Sequence, residues 1–103
     1  MDKEMLARID QCQTRGERAA LVTIVETRGS TPRKAGSKML VTKDGRCCGT
    51  IGGGCGEAEV RRQALTALDE EQSCLYTVSM SNQTAADEGM VCGGTMEVFI
   101  QLL

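Results

Sequence analysis

The feature that most constrains the fold is the run from Ala19 to Thr27, which is β-branched and apolar on both of its faces. A half-exposed strand alternates between apolar and polar residues, whereas a strand covered on both sides does not. We therefore predict a central strand, with other elements packed against both faces of its sheet.

Two segments carry the helical spacing needed to cover that strand. The first begins at Asp2, an N-cap residue, stops at Gly16, and repeats apolar residues at Met5, Leu6, Ile9 and Cys12. The second follows Glu57 and repeats them at Val60, Ala64, Ala67 and Leu68. Two amphipathic helices are predicted.

Four further segments read as strands. They are 38–42, 46–50 (after the Asp44-Gly45 hairpin signal), 74–78 and 95–103. The fold class predicted is α/β: one domain over residues 1–103, with a mixed sheet of about four to five strands and two main helices. No linker or repeat divides the chain.

Composition limits the kind of partner. The net charge is -2 and aromatic residues make up 2% of the 103 residues, so neither a general attraction for phosphate polymers nor a base-stacking surface is expected. No apolar run reaches membrane-span length, and the first residues do not resemble a signal peptide. We expect no nucleic-acid partner, no membrane association, a cytoplasmic location and reduced thiols.

The first glycine cluster runs from Gly49 to Glu57 and contains five glycines in nine residues. A glycine-rich turn before a helix presents backbone N–H groups that can bind an anion, and close backbone packing is the alternative use of such glycines. Cys55 at this turn is a candidate for a lowered pKa and a nucleophilic or metal-binding thiol, or else a small buried residue. Glu57 is a candidate acid or base, or a carboxylate that stabilises the helix dipole.

The second cluster surrounds Cys92 with Gly89, Gly93 and Gly94, and so repeats the setting of Cys55. A basic loop supplies the third candidate region, because Arg28, Arg33 and Lys34 surround two hydroxyls, Ser30 and Thr31. Such a loop suits phosphate or pyrophosphate, and the alternative is a solvated basic surface.

The other four cysteines are interpreted as structural, since Cys12 falls on an apolar helix face, Cys74 begins a strand, and Cys47 and Cys48 point to opposite sides of one. The sequence contains no histidine and no C-x-x-C pair, so we expect no zinc site and no Cys-His or Ser-His-Asp hydrolase. Thiol chemistry and anion binding are what remain.

Four stretches in this order resemble the XdhC/CoxI family of xanthine dehydrogenase and molybdenum hydroxylase accessory proteins. They are ALVTIV from residue 20, GSTPRKAGSKMLV from residue 29, GTIGGGCGE from residue 49 and GMVCGG from residue 89. The likeness is to the N-terminal domain. Longer family members carry a second, Rossmann-like domain, and none is expected in this sequence up to Leu103. Gly56 departs from the pattern, because a larger apolar residue is expected before the glutamate.

The resemblance implies a maturation chaperone that binds the molybdenum cofactor (molybdopterin) as cargo, assists its sulfuration and delivers it to a molybdenum hydroxylase apoenzyme. The partners it implies are that apoenzyme, a cysteine desulfurase, a separately encoded Rossmann-domain protein and a second copy of the chain in a dimer. Carried over by motif, Cys92 is the first candidate sulfur carrier and molybdenum ligand, and Cys55 with Glu57 is the second. The implied cofactor-binding residues are Cys92, Gly93, Gly94, Gly52, Gly53, Gly54, Cys55, Ser30 and Arg33.

No residue is assigned a firm catalytic role, and a binding protein without turnover is expected rather than an enzyme. Two alternatives remain open at this point. One is an enzyme in which Cys92 or Cys55 carries persulfide sulfur to the bound cofactor. The other is a docking or scaffold domain that contacts the target enzyme without binding cofactor.

Overall fold

The computed structural model describes residues 2–31, 33–52, 56–80 and 93–103. Across these residues the chain forms two helices and five strands: α1 (Lys3–Arg15), β1 (Ala19–Arg28), β2 (Lys38–Thr42), β3 (Cys47–Gly49), α2 (Glu57–Glu70), β4 (Cys74–Ser79) and β5 (Thr95–Leu102). The predicted α/β class, the two helices and the strand count are confirmed, and most predicted boundaries differ from these by one residue or none.

Helix α1 begins and ends at the predicted caps. The Asp2 carboxylate accepts a hydrogen bond from the Met5 N–H at 2.8 Å, which satisfies one of the unpaired donors of the first turn. Gly16 adopts the left-handed conformation, with φ of 68°, and its N–H closes the last turn. Both signals are local, which explains why the sequence alone located the helix.

The five strands form one sheet in the order β3-β2-β1-β5-β4, so β1 is central as predicted. The expectation of a mixed sheet is wrong, because all four pairings between these strands are antiparallel. Strands β3 and β4, which are connected through α2, run in the same direction, but they lie at opposite edges of the sheet. Strands that run the same way therefore never become neighbours.

Both faces of β1 are covered from Ala19 to Ile24, against different partners, whereas Val25 and Glu26 are exposed. Ala20, Val22 and Ile24 belong to the large cluster that contains the buried face of α2. Ala19 and Leu21 join a smaller cluster with Met5 and Cys12 of α1. Burying one such aliphatic side chain stabilises a fold by about 1.5–3 kcal/mol. The helix on each side of the sheet therefore explains the apolar residues of β1 as far as Ile24, and the coverage predicted for the rest of the run, to Thr27, is not found.

Candidate functional site

The direction of the strands brings the three special loops to one end of the sheet. Strands β1, β3 and β4 run the same way, because each is antiparallel to the strand or strands beside it. The basic loop follows β1, the first glycine cluster follows β3, and the second glycine cluster lies between β4 and β5. We call this end of the sheet, where β1, β3 and β4 finish, the loop end.

Two of these loops touch through their backbones. The Gly94 N–H donates to the Ser30 carbonyl at 3.0 Å, and the Met80 N–H donates to the Gly94 carbonyl at 2.9 Å. A Cβ on Gly94 would meet the Arg28 carbonyl oxygen and would lie 2.6 Å from the Ser30 carbonyl oxygen. The missing side chain of Gly94 is therefore required by packing, whereas a Cβ on Gly93 would meet none of the described residues within 4 Å.

The first glycine cluster reaches the same end through Gly56. This residue is buried with φ of 77°, and a Cβ on it would lie 3.0 Å from Val78 Cγ1 and 3.4 Å from Met80 Cγ. The family pattern leads one to expect a larger apolar residue at this position, and this chain departs from that pattern. The left-handed backbone and the nearby side chains of Val78 and Met80 both favour glycine. Gly56, Met80, Gly94 and Ser30 thus form a chain of contacts that joins the three loops.

Glu57 holds the entrance to α2. Its Oε2 accepts hydrogen bonds from the Thr50 hydroxyl at 2.6 Å and from the Ile51 N–H at 3.3 Å. The Gly52 N–H in turn donates to Thr50 Oγ1 at 3.0 Å. The carboxylate therefore ties the segment after β3 to the first turn of α2, a positioning role that adds to the interaction with the helix dipole expected from the sequence.

The start of α2 carries two carboxylates, Glu57 and Glu59, and no side-chain cap. Glu59 accepts a hydrogen bond from the Tyr76 hydroxyl at 3.1 Å. Burial and this carboxylate raise the pKa of Tyr76. Negative charge in the first turn already interacts with the helix dipole, so it reduces the attraction of this terminus for another anion.

The cations of the basic loop differ in their surroundings. Arg28 Nε lies 3.0 Å from the Glu26 carboxylate, so its charge is already paired. Arg33 and Lys34 are exposed, and within the described ranges neither forms an ion pair. The Thr31 hydroxyl donates to the Arg33 carbonyl at 3.1 Å, which links the backbone on either side of residue 32. Arg33 and Lys34 are the cations left for an anionic ligand.

Several predicted site residues, Cys92, Cys55, Gly53 and Gly54, lie outside the described residues. The interpretation of Cys12, Cys48 and Cys74 as structural agrees with their places in or against the two core clusters. In the described part of the chain, no group of three or more Cys, Asp or Glu could hold a metal ion.

The interpretation of the four cysteines as structural does not extend to Cys47, whose exposure the sequence did not predict. Cys47 is exposed and, together with Glu57, Ala58 and Arg61, lines a cavity of about 300 Å³ beside the first turns of α2. Partial burial and Glu57 raise the pKa of the Cys47 thiol, and the Arg61 guanidinium opposes that rise. The alternation of a strand predicted that Cys47 and Cys48 face opposite ways, but not that one of them would stay accessible at the sheet edge.

Among the described residues, neither helix has both the length and the apolar character needed to cross a membrane.

The sequence matches the family model of the XdhC and CoxI family over residues 12–79, and the chain belongs to that family. It is 45% identical to the uncharacterized protein YqeB of Escherichia coli K12 over 83 residues, which are 81% of this chain and 15% of that protein. It is 50% identical to the molybdenum cofactor insertion chaperone PaoD of the same organism over 53 residues, 52% of this chain and 17% of PaoD.

A third relative, a probable xanthine dehydrogenase subunit of Bacillus subtilis 168, is 39% identical over 77 residues, 75% of this chain and 23% of that protein. The chain therefore spans less than a quarter of the length of each of these relatives. The fold resembles a crystal structure of a xanthine dehydrogenase from Bacillus halodurans, with a TM-score of 0.72 and 24% identity over 93% of this chain and 29% of that one.

Proposed function

We propose that this domain assists the maturation of a xanthine dehydrogenase-type molybdenum hydroxylase by holding the molybdenum cofactor as cargo at the loop end. The observation that carries the proposal is the backbone contact between Ser30 and Gly94, which joins two loops that the sequence had separately marked for ligand binding. Family membership and the function named for PaoD support the maturation role.

The described residues of the loop end suit an anionic, phosphate-bearing cargo. Arg33 and Lys34 are exposed cations without an ion-pair partner among these residues, and Ser30 adds an exposed hydroxyl. Charge-assisted hydrogen bonds from such groups are the strong ones in phosphate recognition. The first turn of α2 contributes less, because Glu57 and Glu59 already place negative charge there. We therefore assign the phosphate end of the cargo to the basic loop.

Open backbone beside the contact gives the cargo a place to approach. Gly93 is exposed, and no atom of the described part of the chain lies within 4 Å of where its Cβ would be. Cys92 precedes it in the chain, so we propose the Cys92 thiolate as the ligand of molybdenum, with the Cys55 thiolate as the second candidate. Gly52, Gly53 and Gly54 remain proposed backbone contacts. A soft thiolate is a suitable ligand for a metal that also binds dithiolene sulfur.

The proposed partners are the hydroxylase apoenzyme, a cysteine desulfurase that supplies sulfur, a Rossmann-domain protein and a second copy of the chain. The proposed place of action is the cytoplasm. The phosphate assignment and the thiol assignment are separable, since they use different residues.

The test is cofactor retention after expression in cells that make the molybdenum cofactor. Pterin fluorescence and molybdenum content of the purified protein are measured for the wild type, for Arg33→Gln with Lys34→Gln, and for Cys92→Ser. The matched controls are Lys3→Gln with Arg62→Gln, which removes the same charge elsewhere, and Cys47→Ser, which removes an exposed thiol.

Retention by the wild type and both controls, with a loss of at least about tenfold in the two test variants, is the expected result. Equal retention by the wild type and the double Arg33/Lys34 variant contradicts the assignment of the phosphate end to the basic loop. It leaves the thiol assignment untouched. A wild type that retains neither pterin nor molybdenum overturns the cargo proposal. Binding of such a protein to the apoenzyme then identifies a docking domain instead.

A further inference from the structure

A second concave surface lies at the opposite end of the sheet from the loop end. Here α1 and the hairpin between β2 and β3 enclose a cleft of about 360 Å³. Sites for small molecules usually measure about 300–1,000 Å³, so this cleft is large enough for one. Polar side chains dominate its lining, among them Arg8, Gln11, Arg15, Glu17, Thr42 and Arg46.

Helix α1 directs three donors into this cleft. Arg8, Gln11 and Arg15 are spaced by three and four residues, so they lie along one face of the helix. That face adjoins the one that buries Met5 and Cys12 against the sheet. Because α1 is packed against the sheet, the side chains of Arg8, Gln11 and Arg15 start from fixed positions beside the cleft. The same residues in a surface loop would not be held in this way.

The third guanidinium of the cleft is already paired. Arg46 Nε lies 3.4 Å from Asp44 Oδ2, and the Asp44 carboxylate also accepts hydrogen bonds from the Thr42 hydroxyl and the Arg46 N–H. The Thr42 hydroxyl and then the Arg46 N–H lower the pKa of Asp44, which keeps this carboxylate ionised. The charges of Asp44 and Arg46 therefore neutralise each other at the hairpin turn between β2 and β3.

Arg8 and Arg15 are not neutralised in this way. Within the described part of the chain, no ion pair involves either of them, and Glu17 is the other carboxylate that lines the cleft. Their Cα atoms are about 10 Å apart along the helix, a separation that two long side chains can close around one tetrahedral oxyanion. Guanidinium groups bind phosphate oxygens in the bidentate geometry.

We propose that this cleft, with Arg8 and Arg15 as its anion-binding residues and the Gln11 amide as a further donor, binds the phosphate group of a small molecule. The cleft is larger than one phosphate group, so there is room for the organic part of a phosphate monoester. This site is separate from the loop end and does not depend on the cargo proposed there.

The test is a titration of the purified chain with small ligands at constant ionic strength. Binding is measured by calorimetry and by changes in the NMR signals of the arginine Nε–H groups. The probes are inorganic phosphate, ribose 5-phosphate and uncharged ribose. The test variant is Arg8→Gln with Arg15→Gln. The matched control is again Lys3→Gln with Arg62→Gln, and circular dichroism with urea denaturation checks that both variants are folded.

Saturable binding of a phosphate probe, lowered at least about tenfold in the Arg8/Arg15 variant and changed less than about twofold in the control, is the expected result. Tighter binding of ribose 5-phosphate than of inorganic phosphate identifies a phosphorylated small molecule as the ligand, and equal binding identifies free phosphate. The absence of saturable binding overturns the proposal, as does equal weakening in both double variants or binding of ribose as strong as that of its phosphate.

Discussion

Gly94 shows how much a single residue can decide at the loop end. It has no side chain because the backbones of Arg28 and Ser30 occupy the space that a Cβ would need. The neighbouring Gly93 meets no such restriction from residues 2–31, 33–52, 56–80 or 94–103. Two adjacent glycines that look equivalent in the sequence therefore have different physical roles, one in packing and one in leaving backbone accessible.

We predict that Gly94→Ala lowers the free energy of unfolding by about 2–4 kcal/mol, because the atoms it would meet belong to backbone and cannot rotate away. Gly93→Ala, the matched control, should cost less than about 0.5 kcal/mol. Urea denaturation of the two variants measures the difference. Equal effects at the two positions would contradict the packing role of Gly94.

Cys47 offers a second prediction at this scale, since its thiol faces opposing charges. Arg61 favours the thiolate, while partial burial and Glu57 disfavour it and raise the pKa above the ordinary value. Arg61→Gln should raise the pKa of Cys47 further and slow its alkylation by iodoacetamide at a fixed pH below that pKa. Peptide mass spectrometry across a pH series measures the rate at Cys47, with Arg62→Gln as the control. If the alkylation rate of Cys47 depends on pH in the same way in Arg61→Gln and in the wild type, Arg61 does not influence the pKa of this thiol.

At the scale of elements, the entrance to α2 depends on one carboxylate. Glu57 joins the Thr50 hydroxyl and the Ile51 N–H, so it fixes the segment after β3 against the first turn of the helix. Ile51 is fully buried beneath this contact. The helix start and the preceding segment therefore form one structural unit.

We predict that Glu57→Ala increases amide hydrogen exchange at Ile51 and lowers the free energy of unfolding by about 1–3 kcal/mol, because it removes the carboxylate that accepts the part-buried hydrogen bonds from the Thr50 hydroxyl and the Ile51 N–H. Glu59→Ala is the control, since it removes the bond to the Tyr76 hydroxyl from the same helical turn. Exchange measured by NMR should rise at Ile51 in the first variant only. A rise of the same size in both variants would mean that the first turn frays as a whole.

At the scale of the whole molecule, the antiparallel sheet separates two polar surfaces. Strands β1, β3 and β4 end at the loop end, whereas the hairpin after β2 lies at the other end beside α1. The buried clusters on the two faces of the sheet lie between them. The two proposed binding sites should therefore act independently.

We predict that Arg8→Gln with Arg15→Gln leaves the retention of pterin and molybdenum within about twofold of the wild type, because substitutions at distant sites without shared partners act separately. The converse variant, Arg33→Gln with Lys34→Gln, should leave phosphate binding at the α1 cleft unchanged. The same fluorescence and calorimetry measurements check both statements. Loss of both properties in either variant would show that the two ends are coupled.

Local signals in the sequence determined much of this fold. The Asp2 and Gly16 caps, the spacing of the buried residues in α2 and the β-branched, apolar start of β1 each depend on residues close together in the chain. These signals predicted the helices, the central strand and the three special loops. They also carried the likeness to the XdhC and CoxI family, because that likeness lies in short contiguous motifs.

Tertiary structure alone decided which distant parts of the chain come together. The contact of Ser30 with Gly94, the left-handed Gly56 against β4, the accessible Cys47 beside α2 and the arginine cleft all join residues that are distant in sequence. The antiparallel order of the sheet belongs to the same group, since a strand's pattern records whether its faces are buried but not the direction of its neighbours. Such features arise from packing between elements, which periodicity and local propensity do not encode.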